Sequence, residues 1–67
     1  MPNRIREARK AVDMGQGELA KKVGVTQGAV SQWEKGRAEP SIWRLKLIAA
    51  VLNTTVDELL TDGKEAG

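Results

Sequence analysis

Ile5, Ala8 and Val12 recur at i, i+3 and i+7 through Arg4 to Val12, while Arg6, Glu7 and Lys10 fall elsewhere on the wheel. That is the pattern of an amphipathic helix. Asn3 supplies an N-cap oxygen, and Asp13 to Gly15 break the period. A second helix is expected from Gln16 to Val23, with Leu19, Ala20 and Val23 inward and Gly15 as an N-cap that lacks a side-chain oxygen. Gly24 follows its last apolar position, where a left-handed residue stops a helix cheaply. Val25 is expected to bury and Thr26 to cap a third helix over Gln27 to Lys35, which Gly36 ends. Pro40 disfavours helix in the residue before it, so Arg37 to Pro40 form a loop. Ser41 opens a fourth helix in which Ile42, Leu45, Ile48, Ala49 and Leu52 keep a ~3.6-residue period, with Asn53 as a left-handed stop. Thr55 and Glu58 have capping-box spacing, which starts a short fifth helix through Leu60 with Val56, Leu59 and Leu60 apolar. The chain shows no alternating strand pattern and no internal repeat. The expected fold class is all-α, a compact five-helix bundle.

The length of 67 residues holds one small domain. It is expected over residues 1–61, with 62–67 as a flexible acidic tail. Aromatic residues make up 3% of the chain and are Trp33 and Trp43, so the core must be aliphatic. Without cysteine or histidine, neither a disulfide nor a zinc site is available, and the expected compartment is the cytoplasm. The longest apolar run, Leu47 to Leu52, is far short of the ~20 residues a membrane helix needs. No enzyme is expected either: with no His, Cys or Tyr, catalysis would fall to a lysine or paired carboxylates, and the acids lie on different helices. No cofactor, metal or membrane partner is therefore anticipated.

The net charge of +2 conceals an asymmetry. Residues 1–55 hold ten of the eleven Lys/Arg and five of the nine acids, net +5, whereas residues 56–67 hold one base and four acids, net −3. A basic body suits a polyanion partner, and it equally suits a merely solvated surface.

Gln16 to Lys35 reads as two helices joined at Gly24 by a turn of about three residues, the length of a helix-turn-helix connection. Ala20 is small where the next helix crosses, and Leu19, Val23, Val25, Val30 and Trp33 fill the angle between them. At ~100° per residue, the third helix carries Gln27, Gly28, Ser31, Gln32 and Lys35 on one arc and Ala29, Val30 and Trp33 on the other. The polar arc contains no acid. Its amides and hydroxyl are the groups that read base edges in a major groove, although the arc alone also fits an ordinary solvated face.

Gln16, Glu18, Leu19, Ala20, Val23, Gly24, Val25, Thr26, Val30, Ser31, Trp33, Glu34, Gly36, Pro40 and Ser41 occur in this order without a gap. The run resembles the helix-turn-helix domain shared by phage repressors, Cro proteins and many small bacterial regulators. The resemblance covers roughly residues 4–60. It implies a five-helix domain that binds double-stranded operator DNA as a homodimer, with the third helix as the recognition helix. It further implies that Thr26, Gln27, Gly28, Ser31 and Gln32 read bases. Gly28 stands where a long polar side chain is common, so one contact is either absent or replaced by close backbone approach. Gln16 matches a glutamine that contacts a phosphate and braces the recognition helix. Gly15 and Gly17 depart from the pattern and leave N–H groups uncovered beside it. Lys35, Arg37, Ser41, Trp43 and Arg44 match the region that follows the DNA backbone; Trp43 either donates its indole N–H to a phosphate or covers a gap beside Trp33. Arg9 and Glu34 match a structural ion pair. Separately, Val56 and Leu60 offer apolar area for dimerisation beyond what the core needs.

The resulting expectation is a transcriptional regulator, a repressor, on a palindromic operator. The rival on the same scaffold is a protein-interaction module, antitoxin-like or adaptor-like, which the acidic tail favours slightly.

Overall fold

A computed structural model describes residues 3–60. The helices are α1 (Ile5–Ala11), α2 (Gln16–Val23), α3 (Gln27–Glu34), α4 (Ile42–Val51) and α5 (Val56–Leu60), and among the described residues all regular structure is helical. The all-α, five-helix architecture is the one the periodicity demands. The expected tail at 62–67 lies outside the described residues.

Side-chain oxygens set three of the helix starts. Thr26 Oγ1 accepts from Ala29 N–H at 3.1 Å, Ser41 Oγ from Arg44 N–H at 3.4 Å, and Thr55 Oγ1 from Glu58 N–H at 3.1 Å. At α1 the capping residue is Arg4 rather than Asn3. Asn3 still contributes: its Oδ1 accepts from Ile5 N–H at 3.0 Å and its Nδ2 donates to the Trp33 carbonyl at 2.8 Å, fastening the start of α1 to the end of α3. Arg4 N–H donates to the Leu59 carbonyl at 2.8 Å, so the first and last helices also close on each other. Gly24 (φ 77°), Gly36 (φ 75°) and Asn53 (φ 59°) are left-handed stops, and Asp13 (φ 59°) adds a fourth that the pattern did not reveal.

The core consists of Ile5, Leu19, Ala20, Val23, Val30, Trp33, Leu45, Ile48, Ala49, Leu52 and Leu59. Fully burying one such aliphatic side chain is worth about 1.5–3 kcal/mol, which leaves a domain this small no spare layer. α2 packs on both α3 and α4, α5 on α4, and α1 on α3. Three expectations are corrected. Val12 follows the last turn of α1 and is 41% exposed; the buried position there is Arg9. Ile42, at the open first turn of α4, is 62% exposed. Val25 is only half-buried, since it lies on the turn between α2 and α3.

Candidate nucleic-acid interface

Arg9 sits in the last turn of α1 and Glu34 at the end of α3, positions that place a cation and an anion face to face in the interior. Arg9 Nε donates to Glu34 Oε2 at 2.7 Å and Nη2 to Oε1 at 3.1 Å, a two-pronged pair whose side chains are 11% and 5% exposed. The remaining prong, Nη1, donates to the Met14 carbonyl at 2.8 Å and so fixes the α1–α2 turn. Burial raises the Glu34 pKa, but hydrogen bonds from Arg9 and Gln16 and the charges of Arg9 and Arg6 outweigh it, holding the carboxyl below its ordinary range. The hydrogen bond to Glu34 raises the Arg9 pKa against the effect of burial, and the Glu34 charge adds to it.

From this pair a line of polar contacts runs to the start of α3. Gln16 Nε2 donates to Glu34 Oε1 at 3.0 Å, and Gln27 Nε2 donates to Gln16 Oε1 at 3.4 Å. An ionised carboxylate only accepts, so Gln16 must turn its amide nitrogen toward Glu34 and its oxygen toward Gln27. Gln27 is left with its carbonyl oxygen and one N–H, an acceptor and a donor side by side. A Cβ added at Gly17 would stand 3.5 Å from Gln27 Oε1, so the first turn of α2 lies directly beside this amide.

The other polar residues of α3 fall on the same flank. Gln27, Gly28, Gln32 and Lys35 are exposed and Ser31 is half-buried. A Cβ at Gly28 would meet only Thr26 Oγ1, at 3.8 Å, so open space lies above that residue. Thr26 is exposed, with its hydroxyl oxygen engaged as the α3 cap. Lys35 closes α3 as its C-cap residue, one position earlier than the helix end expected from the pattern.

The loop and α4 residues divide. In the α3–α4 connection, Arg37 is exposed and its N–H donates to the Gln32 carbonyl at 2.9 Å. Ser41 is exposed and caps α4. Trp43 is 58% exposed, with its ring 4.4 Å from the Arg44 guanidinium carbon. Arg44 Nη1 donates to the Val23 carbonyl and, at 3.5 Å, to that of Gly24. It thereby places a cation at the negative end of α2, an arrangement that sequence spacing did not expose. With α2 spanning eight residues, this end lies ~12 Å from Gln16. Val56 packs against the core and is half-buried, whereas Leu60 is 41% exposed. Among the described residues, no group of three His, Cys, Asp or Glu side chains could hold a metal, and no helix is long and apolar enough to cross a membrane.

The helix-turn-helix family model matches residues 5–59. A transcriptional regulator of the helix-turn-helix type from Archaeoglobus fulgidus is 44% identical over 59 residues, which cover 88% of this chain and 84% of the relative. Repressor protein C2 of Salmonella phage P22 is 40% identical over 60 residues, 90% of this chain; the chain spans only 28% of that repressor's length. The crystal structure of the P22 c2 repressor in complex with a synthetic operator superposes with a TM-score of 0.81 at 39% identity, covering 88% of this chain and 89% of that one. A chain of the SinR–SinI protein complex superposes with a TM-score of 0.81 at 35% identity, over 96% of this chain and 63% of that one. With the match running from α1 through α5 and one relative covered over most of its length, the chain belongs to the helix-turn-helix family of transcriptional regulators.

Proposed function

We propose that this chain is a sequence-specific repressor that binds a palindromic operator as a homodimer, with α3 in the major groove and the cytoplasm as its place of action. The observation that carries the reading is the Gln16–Gln27 contact at the joint first turns of α2 and α3. It holds a donor–acceptor amide, matched to the N6/N7 edge of adenine, beside a helix N-terminus suited to a phosphate. Thr26, Gln27, Gly28, Ser31 and Gln32 read bases. Gln16, Gly17, Lys35, Arg37, Ser41 and Trp43 follow the backbone, joined by whichever Arg44 donors the α2 terminus leaves over. The likeness to the C2 repressor, whose operator complex has this fold, supports both the ligand and the repressor role.

One recognition helix reads few base pairs, so two subunits are needed, with half-sites ~10 base pairs apart. Leu60, with Val56 beneath it, supplies the dimer surface. Selection from a random duplex pool, followed by the mass of the selected complex, tests the reading. A palindromic motif and a 2:1 complex are expected; a single asymmetric site in a 1:1 complex overturns the homodimer, and no enrichment overturns DNA reading altogether.

The SinR–SinI likeness favours one further reading, in which this scaffold also takes a protein partner. Failure to bind any duplex at low salt, together with a defined protein complex, would make that the primary role.

A further inference from the structure

Next to the buried Arg9–Glu34 pair, α1, the first turn of α2 and the end of α3 enclose a cleft of about 420 Å3. Its wall includes Arg6, Arg9, Lys10, Gln16, Glu34 and Lys35. Four cations against one acid give the cleft wall a net charge of +3, carried by Arg6, Lys10 and Lys35 around the Arg9–Glu34 pair. Arg6 and Lys10 are one helical turn apart on α1 and so share a face, while Lys35 approaches from α3. All three are exposed, and among the described residues Glu34 is the sole acid in the cleft wall. Three like charges around one concavity repel one another unless an anion enters. Gln16, the proposed phosphate anchor, lies on the cleft wall, so the concavity continues the surface already assigned to the DNA backbone.

We propose that Arg6 and Lys10, with Lys35, form a second phosphate seat that grips a backbone phosphodiester of the same duplex, next to the one at Gln16. The inference rests on the DNA-binding reading. It adds Arg6 and Lys10 of α1 to the interface. The seat carries no base information: a phosphodiester is the same at every step, and the cations reach it without entering a groove.

The test is duplex affinity as a function of salt for the parent chain, the double variant Arg6→Gln/Lys10→Gln, Lys35→Gln, and Lys46→Gln as an exposed cation outside the cleft. Each phosphate of B-DNA that the protein no longer neutralises makes the slope of log affinity against log salt shallower by ~0.9. For each such phosphate, the parent's advantage over the double variant should therefore shrink about 3.5-fold between 50 and 200 mM salt. The selected motif should stay the same, and Lys46→Gln should leave the slope unchanged. A methylphosphonate at the gripped phosphate should weaken the parent and not the double variant. If the parent binds duplex and the double variant keeps its slope, the seat is absent while the DNA reading stands. An altered motif, or an equal slope change in Lys46→Gln, also overturns the seat. A parent that binds no duplex overturns the underlying reading instead. Circular-dichroism melts of each variant confirm that the fold is retained.

Discussion

Removing the Glu34 side chain is the perturbation with the largest expected consequence. Its carboxylate accepts from Arg9 Nε at 2.7 Å, from Arg9 Nη2 at 3.1 Å and from Gln16 Nε2 at 3.0 Å, and its side chain is 5% exposed. In Glu34→Ala the Arg9 guanidinium stays in the interior without its counter-charge. Breaking a buried pair from one side costs about 3–5 kcal/mol. At ~0.05–0.15 kcal/mol per residue, a chain of 67 residues has about 3–10 kcal/mol of stability in all. With ~4–8 °C lost per kcal/mol in a domain of this size, the melting temperature should fall by at least ~12 °C. Glu34→Gln keeps the shape and removes the charge, so it separates loss of the ion pair from loss of packing.

The assay is thermal unfolding followed by far-ultraviolet circular dichroism across pH. Since the folded Glu34 pKa is depressed below its unfolded value, the linked stability is fully present above the unfolded value. It is lost as pH falls through the folded one, while Arg9 stays charged throughout. The parent's melt should therefore begin to drop below about pH 4, near the ordinary Glu pKa of ~4.3. Glu34→Gln should lack this carboxyl's part of the drop. A Glu34→Ala protein that melts within a few degrees of the parent, or an acid limb identical in Glu34→Gln, refutes the view that this pair supports the fold.

Arg44→Met retains the aliphatic stem but leaves the α2 C-terminal carbonyls without their cation, so unfolding by urea should show a loss of ~1–2 kcal/mol; an unchanged midpoint would mean that the contact contributes nothing. Gly28→Ala adds a Cβ into open space, with 3.8 Å to its nearest neighbour. It should stabilise α3 by ~0.5–1 kcal/mol while weakening duplex binding, and equal or better affinity would show that the backbone does not lie close to DNA there. Gln27→Ala should relax the preference for an A·T pair at one position of the half-site by ~1–3 kcal/mol, as measured by competition among single-base variants; an unchanged preference assigns the reading elsewhere.

The helices and most of the core were legible because burial in a small bundle imposes a ~3.6-residue period on every element, and Leu19, Val30, Ile48 and Leu59 obey it. Ile42 and Val12 also obey it and are exposed, because each lies at a helix end that no other element covers. Periodicity reports a face and not how far along the helix the neighbours extend. The apolar period says nothing of Arg9, which reaches the interior with its charge answered by Glu34 from α3, the ion pair that the family resemblance implies. Arg44 was legible as a cation but not as the cap of α2, since its partners are backbone carbonyls twenty and twenty-one residues away.

The buried pair and the exposed amides belong to one polar system. A free glutamine side chain has two nearly equivalent amide orientations, and a reader that samples both would accept different base edges. Here the interior carboxylate accepts only, which fixes Gln16, and Gln16 in turn offers Gln27 an oxygen. Outward from Glu34 each step removes one alternative, and the contacts lengthen from 3.0 Å at Gln16 to 3.4 Å at Gln27. The outermost amide is thus biased but still able to turn, as the proposed reading of a base edge requires. A domain with no second core layer can hold a surface side chain in register only by anchoring it to groups it must bury anyway. The charge pair, at the ends of α1 and α3, meets the first turn of α2 at Gln16, and Gln16 carries the contact on to the start of α3.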